Sequence, residues 1–162
     1  MELIDKAINV MIKPAEFFSK LGGETLMDTL TYMLAICAIQ LLIGVLTNLG
    51  YIAQFHLMVL YWFSGILMIF IVAGLMHLFV MLLGIDREWN KYFLTLKVSV
   101  YAMTPFVLLG WIPIVSLIAS VWLVYLMVKG ISVFYQVKMT KAFLVAILPF
   151  ALLIALSMLM SI

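Results

Sequence analysis

Charge is what this sequence has least of: 10% of its 162 residues are charged, where a soluble globular domain carries about a quarter. With 68% of the residues hydrophobic, a water-soluble fold of this size would expose broad apolar patches. Cysteine is reduced to Cys37, which excludes an internal disulfide. Placed in an apolar run, it reads as a small buried hydrophobe. There is no HExxH, no GxSxG, no phosphate-cradling glycine loop and no cysteine–histidine ligand cluster. The expectation is therefore a non-enzyme with no metal and no cofactor. No Asp or Glu lies in the interior of an apolar run, so the midplane carboxylates common in coupled transport are missing. Nor does a charged ring or carbonyl filter mark a channel.

What the chain does have is a succession of apolar runs long enough to cross hydrocarbon, which needs about 20 helical residues. Five spans are expected, at about 26–48, 55–84, 92–110, 113–134 and 142–161. The fold class is therefore all-α: a polytopic bundle of five transmembrane helices in a single domain covering 1–162. The second run is too long for one bilayer crossing. Tilt, extension past one surface, or a break near Gly65 or Gly74 would absorb the excess. Two short spans are rejected, because an open turn in lipid would strand its backbone groups.

Before the first span, residues 3–21 place Leu3, Ile4, Ala7, Ile8, Met11 and Ile12 opposite Asp5, Lys6, Asn9 and Lys13, the pattern of an amphipathic helix. Pro14 opens a second short helix, with Phe17, Phe18 and Leu21 as its apolar edge, and Gly22-Gly23 ends it. Two readings stand: a helix pair lying in the membrane interface, or a lid packed against the bundle. Thr25-x-x-Asp28 has the form of a capping box.

All nine basic residues fall before span one, at or beside the connection between spans two and three (Arg87, Lys91, Lys97), or at or beside that between four and five (Lys129, Lys138, Lys141). That alternation puts the N-terminus in the cytoplasm and the C-terminus outside, in a multi-pass protein of the cell membrane. It also accounts for the basic charge without nucleic acid. Lys97, near the start of the third span, is expected to snorkel to the headgroups.

Polar residues within spans are the candidates for function. Gln40, His77, Tyr101 and Thr104 are taken as ligand- or pore-lining candidates, His77 first because it is ionisable. The plain alternative is that each is a hydrogen-bonded structural residue. Pro105 and Pro149 interrupt spans three and five and free the carbonyls of Tyr101 and Val145. Ser116-x-x-x-Ser120 and Ala142-x-x-x-Ala146 permit close helix approach.

Several of these pieces, in order, resemble the Yip1 family. Lys13-Pro14-Ala15-Glu16-Phe17-Phe18 is similar to the element before the family's first span, and His77-Leu78 with Leu83-Gly84 to the end of its second. Leu96 to Pro105 resembles its third span, and Val121-Trp122-Leu123 through Gly130-Ile131 and Met139-Thr140-Lys141-Ala142 its closing portion. The resemblance implies structural roles for Pro14, Phe17, Gly84, Pro105, Trp122, Gly130 and Lys141. It carries no catalytic residue, and implies a role in membrane organisation or trafficking. The expected function is a non-enzymatic organiser or scaffold whose partners are membrane lipids, further copies of the chain or other membrane proteins. The alternative is a small-solute or ion transporter with a site between the kinked third and fifth spans.

Overall fold

A computed structural model describes residues 2–47 and 55–160, with side chains except that of residue 61. The charge-free connection expected at 48–54 and the end of span five at 161 lie outside the described residues. Among those described there are only helices and turns, and five helical stretches are long and apolar enough to cross a membrane. The chain runs α1 Leu3–Ile12, α2 Pro14–Lys20, α3 Leu26–Thr47, α4 Phe55–Leu82, α5 Tyr92–Ala102, α6 Thr104–Leu109, α7 Pro113–Phe134 and α8 Met139–Met160.

Local chemistry places the boundaries. Thr25 and Asp28 form the reciprocal cap that opens α3: the Asp28 backbone N–H donates to Thr25 Oγ1 at 3.2 Å, and the Thr25 N–H to Asp28 Oδ2 at 3.1 Å. α4 is unbroken at Gly65 and Gly74 and closes at Gly84, which has φ +64. The N–H groups of Gly84 and Ile85 return to the carbonyls of Met81 and Val80, the helix stop that a left-handed residue makes possible. Gln136, with φ +52, plays the same part after α7, where the Val137 N–H reaches the Ser132 carbonyl. α8 then begins at Met139, three residues before the expected start.

The third span is broken, as its proline predicted. The Pro105 ring cannot donate to the Tyr101 carbonyl, and the helix interrupts at Met103 before resuming as α6. α8 instead runs through Pro149 without a break. The broken span is the centre of the bundle: 61% of its most apolar stretch is buried, against 17% in α8. α4 and α7 flank α5, and α8 packs chiefly on α4 and α7. The third and fifth spans are thus not the principal packing partners that a site between them would need.

Ala142, Val145, Ala146 and Pro149 form the buried side of α8. Of the two small-residue patterns, this one serves packing. Ser116 and Ser120 instead donate back to carbonyls of their own helix and neighbourhood, Pro113 and Ser116.

The N-terminal helices lie against the bundle. α2 is packed into the bundle, with Phe17 and Phe18 buried and its main contact on α7. α1 rests on α2, α5 and α6 through Ala7 and Val10. Gly130 on α7 permits the approach of α5 and α2: a Cβ there would lie 2.8 and 2.9 Å from the two γ-carbons of Val98 on α5 and 3.1 Å from Phe18 Cζ on α2. Gly130→Ala is therefore expected to destabilise by about 1–3 kcal/mol through overpacking, read as denaturant unfolding in detergent. Adding Val98→Ala should recover most of the loss. Gly44→Ala, whose Cβ meets nothing within 4 Å, should be neutral or slightly stabilising.

Candidate functional site

The densest polar cluster gathers around a residue between two helices. Gly22-Gly23 ends the first helical segment in a 3-10 turn, Glu24 is extended (φ −74, ψ 139), and α3 begins just after it. The Glu24 side chain points into the bundle. One carboxylate oxygen accepts from the Lys6 ammonium of α1, and the other accepts from the Tyr101 hydroxyl of α5 at 2.6 Å. Its backbone carbonyl accepts from Lys97 Nζ at 2.7 Å, and the Leu21 carbonyl accepts from the same ammonium at 2.9 Å. One residue thus ties α1, the turn and the central span together.

Lys97 therefore does not snorkel. Its side chain is buried, with the ammonium 4.6 Å from the Phe93 ring centroid. The reason is proximity: two carbonyls of the turn lie within its reach, so the cation is solvated by the protein's own backbone rather than by headgroups. Below it the polar contacts continue. Tyr32 and Thr104 share a hydrogen bond of 2.8 Å, the Tyr32 and Tyr101 rings lie 4.5 Å apart, and Phe17 sets its edge against Tyr101 at 5.0 Å. Tyr101 and Thr104 are thus brought together, as members of this cluster.

His77 and Gln40 lie elsewhere. His77 is buried near the end of α4, with its ring beside Trp89 and Tyr92 and Nδ1 3.5 Å from the Tyr135 hydroxyl. Among the described residues its Nε2 has no hydrogen-bond partner. Over it lies the polar loop, where the Lys91 ammonium holds the Asp86 carboxyl below the usual carboxylate range and burial pushes the Tyr135 phenol up. Gln40 lines a cleft with Trp62 and Phe106. Of the remaining residues, Pro14 opens α2 and is buried, and Pro105 is buried in α6. Trp122 stacks on Tyr125 with 4.9 Å between centroids, and Lys141 is exposed at the start of α8.

Sequence reasoning named Tyr101 and Thr104 but missed Lys6, Glu24 and Lys97. A signal was present: a lone cation inside an apolar run needs a partner, and Glu24 stands just before the capped start of α3. Chemically the cluster is a clamp. Both Glu24 oxygens are engaged, and no group of three or more potential metal-ligating side chains occurs among the described residues.

Among known protein families, the chain matches the Yip1 domain over residues 8–160. It belongs to the Yip1 family. This is a family of membrane proteins linked to trafficking, and the match takes in nearly the whole Yip1 chain, from within α1 to the end of α8. No curated protein and no solved structure matches it.

Breaking one arm of a buried ion pair leaves the other charge uncompensated, at a cost of about 3–5 kcal/mol. The Lys6 and Glu24 side chains are only 13% and 10% exposed, so Glu24→Ala is expected to lie in that range. Lys6→Met combined with Glu24→Gln should cost less than Glu24→Ala alone. Thermal unfolding in detergent reads both; a Glu24→Ala protein melting with the wild type would remove the clamp from the argument.

Proposed function

We propose that this protein is a non-enzymatic membrane organiser whose working element is α1, held at the cytoplasmic face of the cell membrane. The observation that carries this reading is a row of isoleucines. Ile4, Ile8 and Ile12 are 67%, 45% and 69% exposed, while Ala7 and Val10 on the other side of the same helix are buried against the bundle. Their spacing of four residues puts them on one face. An exposed apolar face on a helix fixed beside a membrane bundle is suited to shallow insertion between headgroups, where it acts as a wedge. Lys13 closes the helix with a basic charge that favours anionic lipid.

The cytoplasmic assignment rests on the positive-inside bias. The three basic segments also meet at one end of the bundle: Lys97 bonds the Leu21 carbonyl, the Tyr135 hydroxyl bonds the Lys91 carbonyl, and Phe18 meets Phe134. Support for an organiser over a transporter comes from the scatter of the polar candidates. Gln40, His77 and the Tyr101–Thr104 pair occupy separate surroundings rather than one path. Lipids are the first partners on this reading, with further copies of the chain or other membrane proteins as scaffolded partners.

The test is reconstitution into liposomes of mixed phosphatidylcholine and phosphatidylglycerol, with vesicle shape read by cryo-microscopy. Wild type is expected to narrow or tubulate the vesicles. The combined variant Ile4→Ser, Ile8→Ser, Ile12→Ser should lose that effect while keeping its unfolding temperature. Equal vesicle shapes for the two proteins, or solute flux that depends on His77, would overturn the reading.

A further inference from the structure

On the side of the bundle away from the charged segments, α3, α4 and α6 diverge around a cleft of about 650 Å³. Its walls include Gln40 and Gly44 of α3, Leu57 and Trp62 of α4, and Phe106 of α6, with Trp111 just beyond. Most of the lining is apolar. The cleft opens beside large exposed apolar side chains, Leu42 and Leu46 on α3 and Leu60 on α4, of the kind a membrane span turns to lipid. Hydrocarbon is the medium available to fill it.

Gln40 and Thr47 are the polar amide and hydroxyl side chains in that lining, and the Thr47 hydroxyl donates to the Ile43 and Gly44 carbonyls of its own helix. The described residues give the Gln40 side-chain amide no hydrogen bond. By contrast, the neighbouring Trp62 indole donates to the Cys37 carbonyl and the Trp111 indole to that of Leu108. Gln40 stands seven residues before Thr47, the last described residue of α3, roughly 10 Å along the helix at 1.5 Å per residue. At that depth an unmet amide is costly, and bulk water is not at hand to satisfy it. A partner that is apolar along most of its length and carries one acceptor answers both needs. Gly44, one turn from Gln40, keeps the space open: a Cβ there meets nothing within 4 Å.

The structure assigns this cleft, we infer, as a binding site for a single acyl chain of an ester-linked membrane lipid. The chain lies between α3, α4 and α6, and its ester carbonyl is drawn below the interface to accept from the Gln40 amide. This site is separate from α1 and does not depend on the wedge proposed above.

The probe is a phosphatidylcholine bearing a diazirine in one acyl chain, incorporated with the full-length protein in nanodiscs, photolysed, and mapped by peptide mass spectrometry. Labelling is expected to concentrate several-fold on peptides of α3, α4 and α6 relative to the exposed row Ile114, Leu117, Ile118 and Val121 of α7. Gly44→Phe, which fills the cleft, should abolish that excess and leave the α7 labelling unchanged. Leu57→Trp does the same from the facing helix and guards against misfolding of the first variant. Unlabelled ester-linked lipid should compete about fivefold better than its ether-linked analogue, the worth of one net hydrogen bond. Gln40→Leu should erase the difference. Labelling spread in proportion to exposed area, or unaffected by both filling variants, overturns the site. Equal competition by ester and ether in the wild type overturns the assignment to Gln40.

Discussion

The arrangement of the end of the bundle that carries the charged segments depends on where one carboxylate and two ammonium groups are buried. In a low-dielectric interior, unpaired charges cost several kcal/mol each. Lys6, Lys97 and Glu24 are therefore bound to settle near one another once the spans come together. The Lys97 ammonium is matched by backbone carbonyls rather than by the carboxylate itself. That leaves the carboxylate free to hold Lys6 and Tyr101. The N-terminal helices are thereby a folded part of the domain, and α1 receives a fixed orientation that a free amphipathic helix would lack.

Such orientation is what gives the isoleucine row its meaning. A helix able to rotate would turn its apolar side inward and hide it. Here Lys6 sits on the clamped side, with Ala7 and Val10 buried beside it, and the exposed row is what is left over. Gly130 contributes from the other direction, by letting Phe18 come close enough to α7 that α2 forms a firm base for α1.

Much of the helical plan was legible because its causes are local. Apolar runs gave the five spans, Thr25 and Asp28 gave the start of α3, Gly84 the stop of α4, and Pro105 the interruption of the third span. The early start of α8 was not legible, because it turns on Gln136 adopting a conformation more often left to glycine. The clamp was half legible. Tyr101 and Thr104 stood out as polar groups in an apolar setting, but Lys97 was read against the headgroups, its default partners. Only the fold brings the turn at Leu21–Gly23 to it across more than seventy residues of sequence. Gln40, His77 and Tyr101 looked alike in the sequence, and three-dimensional neighbours alone distinguish an amide at a cleft, a ring among rings and a clamped phenol.

The unbroken α4 has a further consequence for the surrounding bilayer. Its outward-facing apolar residues run from Phe55 to Leu82, a wall about 40 Å tall at 1.5 Å per residue. A hydrocarbon core is about 30 Å thick, so the α4 wall is taller than the core it crosses. Mismatch of this kind is relieved by tilt or by deforming the bilayer.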